Sequence, residues 1–288
     1  MTWHDLSDAN DPELDRLAEQ HHLHPLHIED CRHQNQRAKF EPGADYLFIV
    51  LKPAHINQAG ELTITDLDIF LGHDYLITVQ EGACPTLRAS LDQLRKNSDQ
   101  SRGDQLFYRI IDATVDAYEP VLDWFNSAID EIEDKVLETP EPGTVERIFS
   151  LKRGLIELRR ILTNMRDLSN QLQHQETDLI QRELAPFLRD VHDHLARDVE
   201  SVEMQRDLLA GAMDIYLSSV ANRTNQVMKV LTVMGTIALP AIVISGFFGM
   251  NTKGLPWADS PHGTEIAIGL MLVTTGVMLA VLKKFGWF

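Results

Sequence analysis

Two cysteines in 288 residues, Cys31 and Cys84, are too few for a disulfide framework and favour a reducing compartment. Positive charge is scarce as well: 26 Lys and Arg stand against 43 Asp and Glu, a formal net charge of −17. Such a deficit argues against nucleic acid as a partner, because non-specific affinity for it comes from Lys and Arg neutralising phosphates. It favours cations as partners, or assembly in which cations bridge acidic faces. Residues 1–10 have neither a basic stretch nor an apolar one, so no signal peptide is expected. There is no Gly-rich phosphate loop, no GxSxG and no paired-carboxylate spacing, which leaves out a nucleotide-driven pump. With 44% hydrophobic and 7% aromatic residues, the chain is not disordered either.

The mean hydropathy of −0.17 reads as soluble, but the average conceals two apolar blocks. Residues 230–248 (VLTVMGTIALPAIVISGFF) carry no charge and are long enough to cross a hydrocarbon core of about 30 Å. Residues 266–282 (IAIGLMLVTTGVMLAVL) form a second run near the short end of the spanning range. A buried core helix is the alternative for each. The short polar loop between them, with Gly254, Pro256, Pro261 and Gly263, favours two spans. Lys229 precedes the first, Lys283 and Lys284 follow the second, and the loop carries only Lys253. The positive-inside bias then puts both termini in the cytoplasm and residues 249–264 outside, as in an inner (plasma) membrane protein with a large acidic cytoplasmic part.

Residues 46–80 read as strands. YLFIVLK, LTITDLDIFL and DYLITVQ are rich in β-branched and aromatic residues, with turn signals at 57–60 and 72–74. Helical patterns at 12–20, 25–31 and 85–96 flank them, predicting an N-terminal α/β domain over 1–104. From 105 to 182 the period turns helical, with a helix over 106–137 and another over 144–172 forming an antiparallel pair punctuated by Pro140, Pro142 and Gly143. The acidic run Asp130, Glu131, Glu133, Asp134, Glu138 and Glu141 is read as a solvated face.

A third helix is predicted from about Glu183, with Pro186 in its first turn. Leu195, Val199, Val202, Arg206, Leu209, Met213, Tyr216 and Val220 alternate at four and three, a heptad seam broken once by Arg206. Nothing stops this stalk (183–229) before the first span (230–251), so a helix over 186–248 would run about 90 Å. A lone stalk of that length leaves its seam open, which argues for an oligomer. A loop (252–264), a second span (265–284) and a short tail (285–288) complete the expected order.

Asp214, Ser218, Asn225, Met228, Thr232, Gly235, Leu239 and Gly246 recur at steps compatible with one helix face. Amide and carboxylate oxygens stand at the cytoplasmic end of that stripe, and small or apolar groups in the middle. Amide rings can hydrogen-bond the water of a hydrated cation, and apolar rings can gate by dewetting. Close helix packing through small residues is the competing reading. His21, His22, His24, His27 and His33, with Glu29 and Asp30, match no metal-cage spacing, and Cys31 has no CxxC partner. They read as residues around a short helix rather than a zinc site.

Gly249-Met250-Asn251, directly after a span and before a second one, resembles the CorA family of divalent-cation channels, which includes a zinc-transporting branch. HPLHIEDCRHQNQRAKFEPGADYLFIVLK, RIIDATVDAY, FLRDVHDH and MDIYLSSVANRTNQVMKVLT extend the resemblance over essentially the whole chain. It implies an α/β cytoplasmic domain, a long stalk helix and two C-terminal transmembrane helices, assembled as a funnel-shaped homopentamer in the lipid bilayer. Gly249, Met250 and Asn251 would form the outer filter, with Asn251 offering its side-chain oxygen to hydrated Mg²⁺, an ion that sheds water reluctantly. Asp214, Asn225, Met228, Leu231, Leu239 and Gly246 fall on matching pore positions. Asp30 and Asp190, with Glu29 and Asp112, match carboxylates that clamp a regulatory Mg²⁺ between protomers. Empty, such a site repels and loosens the ring; filled, it holds the closed form, to the extent that the ion prefers that form.

The resemblance implies passive transport of divalent cations, with Mg²⁺ as cargo and Co²⁺ or Ni²⁺ tolerated, and neither a catalytic residue nor a cofactor. The loop TKGLPWADSPHGT departs from the family's acidic loop by having Lys253 and a single acid, Asp259, and lies closer to the zinc branch, although Met250 is retained. A Zn²⁺ transporter is therefore the alternative. A membrane-anchored coiled-coil scaffold and a histidine-based enzyme are remoter ones.

Overall fold

A computed structural model describes residues 1–33, 36–82, 84–96, 102–138, 142–175, 177–250 and 260–287. These divide into two compact units, residues 1–214 and 215–288.

The first unit is built on a five-stranded sheet in the order β1-β7-β6-β3-β2. Its strands are β1 (Thr2–Leu6), β2 (Lys39–Pro42), β3 (Tyr46–Leu51), β6 (Asp66–Gly72) and β7 (Tyr75–Glu81), while β4 (Ala54–Ile56) and β5 (Leu62–Ile64) form a separate hairpin. Only β1 and β7 run parallel. Every residue of β3 is buried, so both faces of the sheet are covered, as its continuous apolar run requires. One cover is the pair α1 (Pro12–Gln20) and α2 (Pro25–Arg32), whose Leu14, Leu17, Ile28 and Cys31 pack with Phe48, Val50, Phe70 and Val79. Each helix opens on a proline behind a capping side chain: Asp11 accepts from the Glu13 N–H, and His24 Nδ1 from the Leu26 N–H.

The rest of the unit is helical: α3 (Pro85–Lys96), α4 (Gly103–Asp116), α5 (Glu119–Glu138), α6 (Pro142–His174) and, after a 3₁₀ turn at Arg182–Leu184, α7 (Ala185–Phe248). The helix expected over 106–137 is therefore two. Pro120 has no N–H to give to the carbonyl of Asp116, so the chain breaks at Ala117 and Tyr118 and restarts with proline in its first turn. The fully buried Tyr118 fixes the joint by donating its hydroxyl to the Lys52 carbonyl at 2.6 Å. Likewise the run read as one strand over 62–71 splits at Thr65, its halves joining different sheets.

The heptad seam of α7 is covered within the protomer as far as Leu209. Leu195, Val199, Val202 and Leu209 are buried, and the buried Gln205 donates to the Leu122 carbonyl of α5 at 2.9 Å. The argument for an oligomer from an uncovered seam thus applies only to its end, where Val220 is exposed.

The second unit holds the C-terminal part of α7 and α8 (Gly263–Lys284), both long and apolar enough to cross a membrane, with a mean hydropathy of 2.1 in each best window. Their side chains face outward: Met234 is 65% exposed, Ile242 67% and Leu272 70%. Apolar exposure on this scale is a surface made for lipid or for other copies of the chain.

Candidate ion pathway and cation-binding carboxylates

From residue 233 to its end at Phe248 α7 has two unlike sides, while residues 220–232 are exposed all round. Burial falls on Val233, Thr236, Ile237, Pro240, Ala241, Ile244 and Phe248, and α8 is the only other described helix of the unit. Ser218, Asn225, Met228, Thr232, Gly235, Leu239 and Gly246 are all exposed. At 3.6 residues per turn they occupy an arc of about 100°, centred about 130° round the helix from the covered strip. Leu231 is exposed too, but lies about 40° beyond the edge of that arc. A Cβ on Gly235 or Gly246 would meet nothing within 4 Å, so neither glycine is there to let α8 approach. The Thr232 hydroxyl donates back to the Met228 carbonyl at 2.7 Å. Asp214, the last residue of the first unit, is exposed on the same helix.

At the far end of α7 the Gly249 N–H donates to the Ser245 carbonyl at 2.8 Å and the Met250 N–H to the Phe247 carbonyl at 3.3 Å. A Cβ on Gly249 would come within 2.9 Å of that Ser245 oxygen, so the tight turn demands glycine. Asn251 and the loop 252–259 lie outside the described residues.

The four carboxylates expected to hold a regulatory ion fall into two groups. Asp112 and Asp190 belong together: burial raises the pKa of Asp112, Asp116 and Asp190 add to the rise, and His194 and a Tyr108 hydrogen bond oppose it. Asp190 is 61% exposed in its side chain, with His194 Nε2 3.9 Å away. Asp30 sits elsewhere on α2, its Oδ2 2.7 Å from Lys39 Nζ and its Oδ1 accepting from Gln36 Nε2 at 3.2 Å. Glu29 is exposed beside it. Among the described residues, no three His, Cys, Asp or Glu side chains are placed to hold a metal ion.

Two features escaped the sequence reading. A cleft of about 390 Å³ is lined by Asp116, Glu119, Asp123, His194 and Asp198, and burial lifts Asp198 to about 6 despite His194 and Arg197. Asp116 of α4, Glu119 and Asp123 of α5 and Asp198 of α7 meet only through the packing of these helices, and no motif announces that. Asp68 is the other. It is 3% exposed in the middle of β6, with Oδ1 unpartnered and a pKa raised by burial to about 7.

The histidines do structural work. His24 caps α2, the ring of His21 lies 3.8 Å from that of Tyr75, and His33 Nδ1 lies 2.8 Å from the Glu29 carbonyl. His27 is buried, with Nδ1 2.8 Å from the Tyr46 hydroxyl and Nε2 3.1 Å from Glu41. Glu41, paired with Lys39, can only accept, so Nε2 carries the proton and Nδ1 receives that of Tyr46. Burial is the main reason the imidazole stays neutral.

Comparison with known proteins decides what this arrangement belongs to. A family profile described as "CorA-like Mg2+ transporter protein" matches residues 1–284. The chain belongs to the CorA-like Mg²⁺ transporter family. It is 35% identical to the cobalt/magnesium transport protein CorA of Thermotoga maritima, over 99% of this chain and 83% of that one. It is 30% identical to the putative metal ion transporter YfjQ of Bacillus subtilis, over 99% and 89%. The complete CorA structure from Methanocaldococcus jannaschii superimposes with a TM-score of 0.88 at 23% identity, covering 99% of this chain and 91% of that one. As a CorA-type protein the chain is a membrane transporter of divalent cations and not an enzyme, with the α/β unit, long helix and two apolar C-terminal helices of that fold.

Proposed function

We propose that this CorA-type protein is a passive channel for Mg²⁺, tolerant of Co²⁺ or Ni²⁺, in which α7 helices from five copies turn their uncovered strips to a common axis. The observation that carries the reading is the two-sidedness of α7. Gly235, Leu239 and Gly246 stay bare on the side away from the covered one, while Asn225, Met228 and Thr232 continue the same arc where α7 is exposed all round, and the arc runs toward Gly249 and Met250. Arranged in a ring, Asn225 offers amides to a hydrated ion, while Met228 and Leu239 form apolar constrictions that conduct only when wet. Asp214 concentrates cations at one mouth, and Asn251 with Gly249 and Met250 holds the hydrated ion at the other. Leu231, off the arc, reaches the axis only if the helix rotates.

Both termini lie in the cytoplasm, as the lysine distribution favours. A dication entering a negative interior gains about 4.6 kcal/mol per 100 mV, so no nucleotide is required. The regulatory reading needs two protomers. Asp190 and Asp112 of one copy face Asp30 and Glu29 of the next across a Mg²⁺, in keeping with the absence of a complete ligand set among the described residues of one chain. Mg²⁺ rather than Zn²⁺ is supported by the name of the Thermotoga relative.

The test is flux into liposomes at fixed potential, with Mg²⁺ and Zn²⁺ side by side. Mg²⁺ flux that Asn251→Ala abolishes while the oligomer persists is the expected result. Unchanged flux in that variant removes the filter assignment, and Zn²⁺ flux without Mg²⁺ moves the protein to the zinc branch. No flux of either ion in the native protein returns the scaffold reading.

A further inference from the structure

The second unit ends in a built collar of cations and aromatic rings. α8 stops in a Schellman motif. Gly286 takes the left-handed conformation at φ 72°, its N–H donates to the Lys283 carbonyl at 3.1 Å, and the Trp287 N–H donates to the Leu282 carbonyl at 3.0 Å. This closure fixes where Lys283, Lys284, Phe285 and Trp287 emerge. Lys229 of α7 reaches the same point, its Nζ donating to the Gly286 carbonyl at 3.3 Å. A peptide carbonyl takes one of three ammonium N–H donors and none of the charge.

All three lysines are exposed, and among the described residues none is within ion-pair distance of a carboxylate. Three uncompensated cations are unexpected in a chain of net charge −17. Beside them Phe285 is 74% exposed and Trp287 37%, apolar surface that water alone does not favour. The opposite end of α8 begins with His262 paired to Glu265, so the described basic charge of this helix sits at one end only.

We propose that Lys229, Lys283 and Lys284, with Phe285 and Trp287, bind the headgroup phosphate of an anionic phospholipid. The ammonium groups flank the phosphate while the two rings lie at the level of the glycerol and upper acyl chains, the depth that interfacial aromatics prefer. A zwitterionic headgroup brings its own cation and cancels the attraction. Discrimination therefore rests on net lipid charge, each lysine near the surface contributing about fivefold in preference. The inference rests on membrane insertion of this unit and is independent of pore, filter and ion.

The test uses the full chain reconstituted in vesicles of equal phosphatidylglycerol and phosphatidylcholine, gently extracted, with retained lipid quantified by mass spectrometry. Native protein is expected to retain phosphatidylglycerol at least about fivefold over phosphatidylcholine. The triple variant Lys229→Gln, Lys283→Gln, Lys284→Gln should fall to the vesicle ratio, while Lys96→Gln on α3 and the triple Arg variant keep the enrichment. Equal retention of both lipids by native protein, or undiminished enrichment in the folded Gln variant, overturns the site. Enrichment erased by inorganic phosphate at constant ionic strength also overturns it, in favour of a free-anion site.

Discussion

Lys39 holds its ammonium 2.7 Å from Oδ2 of Asp30, and with side chains only 27% and 24% exposed the pair is partly shielded from water. The carboxylate proposed to clamp a cation between protomers thus already has a counter-ion inside its own chain. A Mg²⁺ arriving there competes with Lys39, which shifts regulation to higher ion concentration. Lys39→Met should therefore lower the Mg²⁺ concentration that half-inhibits flux by about fivefold, the equivalent of about 1 kcal/mol for a partly exposed pair. Flux titrations against Mg²⁺ on the cytoplasmic side check this. Asp30→Ala should remove most of the inhibition in either background.

Gly249→Ala should cut flux at least about tenfold without dispersing the oligomer. The new methyl group would lie 2.9 Å from the Ser245 carbonyl oxygen, so the end of α7 must shift, and filter geometry tolerates little displacement. Liposome flux together with size-exclusion chromatography separates this outcome from misfolding.

Asp68 makes stability depend on pH. Its folded-state pKa of about 7 stands above the ordinary 3.8, so the native state keeps a proton the unfolded chain has lost between those values. Stability accordingly falls as pH rises from about 4 to about 7 and is level beyond, the loss being at most about 4 kcal/mol. Asp68→Asn keeps the shape without the charge. It should raise the melting midpoint at pH 8 by several degrees and by less than half as much at pH 5, as thermal unfolding of the intact protein at both pH values will show.

Tyr118→Phe leaves the Lys52 carbonyl without its buried donor, a cost of about 1–3 kcal/mol. The expected readout is a melting point lower by several degrees at every pH, with ion selectivity unchanged. A flat pH profile distinguishes this variant from the Asp68 case.

Periodicity and charge suffice to read the two spans, the long α7 and the α/β character of the first unit, because burial in lipid or core writes itself into spacing. Where the reading failed, the cause was in most cases a contact distant in sequence. The alternation LTITDLDIFL puts Asp68 on a polar face, yet α2 covers that face and brings the buried Cys31 over it, whose thiol is raised mainly by burial. The partner of Asp30 comes from β2, nine residues on, and no motif encodes that return. Pro120 did announce the break between α4 and α5, but the apolar period across it was strong enough to mask the signal. The residues of the α7 strip fall within one arc of the helix, and Leu231, which only positional matching with the family adds to the pore, lies off that arc. Strand β1 went unread because Trp-His-Asp-Leu shows no alternation, its register being supplied by β7.

The His27 relay has a chemical corollary. A metal ion seeking this imidazole finds one lone pair occupied by the Tyr46 proton and the other nitrogen already protonated toward Glu41. Coordination would require breaking the first bond, which frees the Tyr46 hydroxyl that also accepts from the His24 N–H at the start of α2, or expelling the second proton, which breaks the bond to Glu41. The one buried imidazole of this histidine-rich stretch is thereby closed to the cargo of a metal transporter.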